Sequence, residues 1–313
     1  MPEFNTTAGR PARWFPLDRR SQIEITGNDR AKFLHNFCTQ EIKNLAPGKS
    51  CEAFITSVKG RILGHIFVFA TENSLWIDTV PDQESPLIAH LDKYLISEDV
   101  TFHPRTVEWS EIYLTGVITS TLQKDEHHAT QWQGIDVVVR RVDWFGEPGL
   151  LLDVAVADAS KFRESLESQG IARGTPDEFE ARRIHAGLPH YGIDLTEENL
   201  AQEAGRTATA ISFKKGCYLG QEPIARIDAL GHVNRELRSL EIDTKNVPPT
   251  GTPVLSEPDG KEIGRITSSA YSAEDQKTYA LAILQSRFTS PGTTVRVATA
   301  DGPMAKVFWL ADC

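Results

Sequence analysis

The chain has 313 residues, 40% apolar and 24% charged, which is ordinary for a globular protein and enough for two or three domains. Its net charge of −10 excludes a protein that holds nucleic acid by charge alone, because phosphate neutralisation needs clustered Lys and Arg. No apolar run approaches the length of a membrane-spanning helix, and the N-terminus lacks the apolar core of a secretory signal. Residues 1–14 read as a flexible arm, with a strand predicted at Gln22 to Ile25. Asp29 to Leu45 is helical in its first half, where Phe33, Leu34 and Phe37 share a face. From 51 to 103 the pattern predicts βββαβ, an α+β unit inserted into a larger one, with a hairpin-like turn at Lys59-Gly60. Further strands are expected at Ile112 to Ile118, Val137 to Val142 and Leu150 to Val156. A helix capped by Asp158 carries Phe162 and Leu166. Thr175-Pro176-Asp177-Glu178 is a capping box with Pro at the first helical position, so a helix runs to about Ala186. Beyond residue 236 apolar residues alternate, and Asp259-Gly260 and Asp301-Gly302 are hairpin turn signals. Residues 236–313 therefore read as a separate small β-barrel or sandwich after a body spanning 15–235.

The four cysteines, at 38, 51, 217 and 313, form no C-x-x-C pair and no short metal-ligand spacing. No metal site is expected, and a cluster held by four local thiolates is not written here. Cys38 falls on the apolar face of the predicted helix and reads as core. Reduced thiols in a cytoplasm fit this usage. His127-His128 reads as part of a solvated polar loop.

The densest chemistry lies between Lys215 and Arg226, in K-G-C-Y-L-G-Q-E-P-I-A-R. Pro223 sits where a helix could begin and Gly231 where it could end, so Glu222 to Leu230 reads as a short helix behind a glycine-containing loop. Free N–H groups at such a helix start favour an anion. Read by spacing alone, the segment is either that or a solvated turn with an incidental cysteine. Lys214 and Lys215 beside Cys217 predict a lowered thiol pKa and a reactive thiolate, against the alternative of a buried small hydrophobe. Arg226 stands four residues after Glu222, so it either forms an exposed ion pair or turns its planar fork to a ligand carboxylate.

The segment as it stands, K-G-C-Y-x-G-Q-E-x-x-A-R, resembles the signature of the YgfZ-type folate-binding iron–sulfur assembly factors, relatives of the glycine-cleavage T-protein, an aminomethyltransferase. Weaker matches accompany it: Gly27-Asn28-Asp29 with Phe33-Leu34 and Thr39, Gly60-Arg61-Ile62, the R-x-x-x-G-x-P of Arg183 to Pro189, and Gly231 to Leu237. The resemblance implies an α+β fold of interlocked subdomains around a central ligand hole, followed by a C-terminal β-barrel. It implies tetrahydrofolate, or a one-carbon derivative, as cofactor, and a cytoplasmic monomer whose partners are iron–sulfur client enzymes, including tRNA-modifying radical enzymes. A mitochondrial matrix location is less favoured, and neither nucleic acid nor membrane is an expected partner. Among its residues, the resemblance makes Cys217 the reactive thiol. It carries ligand binding to Lys215, Gly216, Tyr218, Gln221, Glu222 and Arg226, with Tyr191 as a stacking partner and Glu203 as the pterin-binding carboxylate. Glu203 follows Tyr191-Gly192-Ile193-Asp194 by nine residues, and its alternative is one of several acids on a solvated helix. Arg183 is expected to order its loop. Where aminomethyltransferases carry a paired acid, G-x-x-I-D-D, this chain has Gly64 and His65, so aminomethyl transfer is not expected. A one-carbon transferase and a non-catalytic scaffold with a relict pocket are the rival readings.

Overall fold

A computed structural model of the chain describes residues 4–6, 11–17, 19–119 and 121–308. The unit read at 51–103 is not self-contained: its five-stranded sheet runs Ser50–Thr56, Ile62–Ala70, Leu75–Thr79, Ser21–Thr26, Thr101–Pro104, with Ser21–Thr26 joining from upstream. The helices Arg30–His35 and Glu84–Asp92 cover one face through Phe33, Leu34, Leu87 and Leu91, all buried. Burying such side chains contributes roughly 1.5–3 kcal/mol each before conformational entropy is charged against it.

A second, six-stranded sheet runs His127–Trp132, Ile135–Val142, Gly149–Ala155, Trp109–Thr115, Arg13–Pro16, Ala172–Arg173. The helix Ala159–Ser168 packs on it through Phe162 and Leu166. The predicted arm is thus corrected: Phe4–Thr6 pairs with Val117–Thr119, and Arg13–Pro16 is an inner strand. Trp14 and Phe15 bury almost completely there, which a loose arm would forgo. His127 and His128 lie on a strand rather than a solvated loop, and the buried His127 ring meets the Ala70 carbonyl at 2.8 Å. Cys38 is fully buried as expected, but it lies beyond the helix and bridges to Ile55. Asp158 precedes its helix without a side-chain cap, whereas Thr175 does accept from the Glu178 N–H at 3.1 Å.

The last strands close a six-stranded barrel in the order Arg235–Ile242, Lys277–Gln285, Glu262–Ser272, Pro253–Ser256, Thr294–Val297, Met304–Phe308. Its interior is aliphatic, with Leu240, Ile266, Leu284 and Val295 among its buried residues. Cys313 lies outside the described residues.

Where the two large sheets meet, Arg140 is 2% exposed and bonds three carboxylates. It donates to Asp153 twice at 3.0 Å, to Asp78 at 2.7 Å and to Glu111. Arg20 adds contacts to Asp78 at 2.8 Å and to Glu111 at 3.1 Å. Burial, reinforced by the neighbouring Asp78 charge, pushes the Glu111 carboxyl well above the usual range.

Candidate functional site

The signature loop is built around one lysine. Lys215 is buried, and its ammonium donates to the carbonyls of His35 (2.5 Å), Cys38 (2.7 Å) and Gln40 (2.9 Å). Burial pushes its pKa down. Tyr218 packs beneath it, with its ring centroid 4.7 Å from the ammonium, and burial pushes the phenol up to about 12. Further bonds stitch this segment to its neighbours: Leu219 N–H to Asn36, Thr56 Oγ1 to the Leu219 carbonyl, Ser212 N–H to Thr39. Lys215 and Tyr218 are therefore framework, turned inward.

The helix behind the loop spans Gln221–Leu230, between Gly220 and Gly231, both left-handed. Gly220 has φ +85°, and a Cβ there would stand 2.4 Å from the Ser57 carbonyl oxygen. Gly216 has no such backbone angle, and the nearest atom to a Cβ there is 3.8 Å away. Gln221 reaches back to the Tyr218 N–H at 3.4 Å. Cys217, Glu222 and Arg226 are exposed, and no ion pair joins the last two. The loop thus presents one thiol, one carboxylate and one guanidinium to solvent.

Glu203 and Tyr191 sit elsewhere. Glu203 is 5% exposed rather than on a solvated helix. It accepts from Arg235 at 3.1 Å and from Asn199 and the Leu200 N–H at 3.2 Å. Tyr191 is half-buried against the Phe54, Ile62 and Tyr218 core, its hydroxyl 3.4 Å from the Ile62 carbonyl. Arg183 bonds the Leu188 carbonyl at 2.7 Å and Asp194 at 2.8 Å, which orders the loop between them.

None of these residues lines the cleft of about 370 Å³ between the two sheets. Its wall carries Glu52, Phe67, Arg140, Trp144 and Arg206, and its rim Gln40 and Thr209. Phe67 and Trp144 lie 5.2 Å apart at 45°. The buried Trp144 Nε1 has no hydrogen-bond partner among the described residues. Gln40 Nε2 donates to the Thr209 carbonyl at 2.9 Å, and the Gln40 carbonyl is one of the three that Lys215 holds. The signature loop is thereby fastened to the cavity rim without entering the cavity.

Gly64 and His65 face opposite ways, as alternation on a strand requires. A Cβ at Gly64 would meet Leu87 at 2.9 Å, so helix Glu84–Asp92 fills that side. His65, on the cavity side of the strand, is 3% exposed and shares a 2.7 Å hydrogen bond with Glu52. Burial alone would raise the Glu52 carboxyl, but the Arg206 guanidinium and then the His65 ring outweigh it and hold the carboxyl well below the usual range. Sequence reasoning passed over Glu52. Its signal was there: a lone acid in C-E-A-F-I, a strand otherwise apolar, opposite a strand with a lone His.

Comparison with known proteins follows this architecture. Residues 12–215 match the family model described as GCVT N-terminal domain, and residues 235–308 that of the glycine cleavage T-protein C-terminal barrel domain. A putative chloroplastic transferase of Arabidopsis thaliana is 24% identical over 311 residues, spanning 94% of this chain and 70% of the relative. An aminomethyltransferase of Bacillus pumilus is 24% identical over 305 residues, spanning 90% and 82%. The crystal structure of glycine cleavage system aminomethyltransferase T from Bartonella henselae superposes with a TM-score of 0.83 at 16% identity, over 96% of this chain and 85% of that one. That likeness establishes a shared fold: an α+β body followed by a closed six-stranded barrel.

Proposed function

This chain belongs to the glycine-cleavage T-protein family, and on that footing we propose that it is a tetrahydrofolate-binding accessory factor for assembly or repair of [4Fe–4S] enzymes, tRNA-modifying radical enzymes among them. The observation that carries this reading is the exposed Cys217, on a loop braced by Lys215 against the cavity rim. A thiol placed there can meet a client protein while the cavity holds a cofactor. The cavity fits such a cofactor. Its volume is in the range of small-molecule sites, and its lining includes the Phe67 ring, the Arg206 guanidinium and a buried carboxylate at Glu52. Tetrahydrofolate, when bound, would supply a carrier for a one-carbon unit. Phe67 and Glu52 would hold it, and Arg206 would keep Glu52 charged. In this reading the protein acts in the cytoplasm as a monomer.

The aminomethyltransferase named among its relatives favours a second reading, transfer of a one-carbon group by this chain itself. Against it stands the pair Gly64 and His65, of which the first is packed under Leu87 and the second is bonded to Glu52. One experiment separates the readings. Purified protein is given aminomethyl-loaded carrier protein with tetrahydrofolate, and its melting temperature is followed with tetrahydrofolate alone. We expect a rise in melting temperature, worth about 2.7 kcal/mol at a hundredfold excess over Kd, and no methylene-tetrahydrofolate above background. Enzyme-proportional product promotes the transferase reading. A melting temperature that does not move removes folate from both.

A further inference from the structure

The sheet faces that meet at Arg140 continue past it. On the first sheet, Phe69 and Trp76 are cross-strand partners. On the second, Ala129, Val138, Asp153 and Glu111 form one cross-strand row, and Trp109 shares that face two residues before Glu111. A second cleft, of about 480 Å³, opens between these faces. Phe69 lines both clefts, Arg140 only the first and Asp153 only the second, so the Arg140–Asp153 ion pair and the Phe69 ring form the partition between them. Trp76 Nε1 donates to Ser74 Oγ at 3.0 Å, and one face of its indole stacks on Phe69, with centroids 5.7 Å apart at 13°. Trp109 stands perpendicular to Trp76, at 6.0 Å and 88°. Both tryptophans line the cleft and stay partly exposed, so their indoles make a right-angled corner.

The two clefts differ in the charges they carry. Cationic side chains line the first, at Lys124, Arg140 and Arg206. No Lys or Arg lines the second. Arg30, close by, directs its guanidinium to the Gly27 and Glu72 carbonyl oxygens. Burial holds the His127 ring below its usual pKa, so it adds no positive charge at neutral pH. Asp153 is taken up by Arg140 and Gln22. That leaves Glu72, whose exposed carboxylate bonds nothing among the described residues. Indole faces are electron-rich, and tryptophan is the strongest aromatic partner for a cation. Two indoles, a free carboxylate and no lining cation suit an organic cation and disfavour an anion.

We propose that this second cleft binds a small alkylated ammonium ion, seated against the Trp76–Trp109 corner by cation–π attraction, with Glu72 as its counter-charge. The site goes beyond the folate reading and does not depend on it. An ion whose charge is spread over methyl groups matches both parts of the corner. Its methyls cover apolar indole surface, and its charge needs no hydrogen-bond acceptor. A bare ammonium would lose its hydrogen bonds to water and find rings in their place.

The test titrates the full chain by calorimetry with choline and with its neutral isostere, the alcohol in which a quaternary carbon replaces the nitrogen. Wild type should bind choline at least about 10-fold more tightly than the alcohol, as two cation–π contacts imply. Glu72→Gln should weaken choline by about threefold and leave the alcohol unchanged, the effect of one exposed charge. Trp109→Leu keeps an apolar wall without the indole face, and should bring the ratio below about threefold. Choline should move the indole N–H resonances of Trp76 and Trp109 and leave in place that of Trp144, which lines the other cleft. A wild-type ratio below about threefold, the level expected once an indole face is lost, overturns the proposal. So does a folded wild type that ignores millimolar choline, or a shift at Trp144 instead of Trp76 and Trp109. These readings need no variant, so unfolding of Trp109→Leu does not spare the proposal. Tetrahydrofolate is absent throughout, so the folate reading stands or falls separately.

Discussion

Replacing Arg140 by methionine should weaken the junction of the two sheets in a way that depends on pH. In the native network two guanidinium groups, Arg20 and Arg140, face the carboxyls of Asp78, Glu111 and Asp153. The charges balance if one carboxyl holds a proton, and burial with the Asp78 charge pushes Glu111 upward, toward that form. Removing Arg140 leaves one guanidinium against three carboxyls, so a second carboxyl has to take up a proton in the folded state. Protonating a carboxyl of ordinary pKa, about 3.9, costs about 1.36 kcal/mol per pH unit above that value. The cost is then about 5 kcal/mol at pH 7.5 and about 2 kcal/mol at pH 5.5. The larger figure agrees with the roughly 3–5 kcal/mol lost when one partner of a buried pair is removed. The sign follows from linkage. The variant's carboxyl has a folded pKa above its unfolded one, so the folded state binds the extra proton and loses stability as pH rises. Urea unfolding followed by tryptophan fluorescence at both pH values reads the deficit relative to wild type. A deficit under about 1 kcal/mol at pH 7.5, or one equal at both pH values, refutes this account of the network.

Three further outcomes concern the signature loop. Cys217→Ser should change stability by under about 1 kcal/mol, as for other exposed positions, yet fail to restore iron–sulfur enzyme activity in a deletion strain; full complementation would make the thiol dispensable. In the wild type, Cys217 should alkylate faster than the fully buried Cys38, and mass spectrometry of timed samples reads the order. Gly220→Ala should cost at least about 2 kcal/mol, because φ is left-handed and backbone atoms crowd the Cβ. Gly216→Ala should cost under about 1 kcal/mol, having neither problem. Chemical denaturation of the two variants gives the contrast, and equal losses would contradict the described loop.

Much of the architecture was legible because local signals agreed with the final packing. The barrel announced itself through alternation and two Asp-Gly turns. The helix Pro176–His185 was announced by its capping box, and Gln221–Leu230 by Pro223 in its first turn and Gly231 at its end. What escaped was what only the tertiary fold decides. His127–Trp132 reads as a polar loop, yet it pairs along its full length with Ile135–Val142. Arg13 and Trp14 read as the end of a loose arm because nothing local shows that they open the strand Arg13–Pro16. At the site, the motif located the thiol loop but not the direction of its side chains: Lys215 points inward and Arg226 outward. Glu52 and Arg206 lie 154 residues apart, and no spacing rule joins them.

The three carbonyls gripped by Lys215 have a consequence for how such loops diverge among relatives. Two kinds of side chain share one twelve-residue stretch. Lys215, Tyr218 and Gly220 answer to folding, and their loss would be felt in any descendant whatever its chemistry. Cys217, Glu222 and Arg226 are exposed, so substitutions there would leave the shape of the loop in place. A relative that keeps K-G-x-Y-x-G without the cysteine would preserve the shape of the loop and lack its exposed thiol.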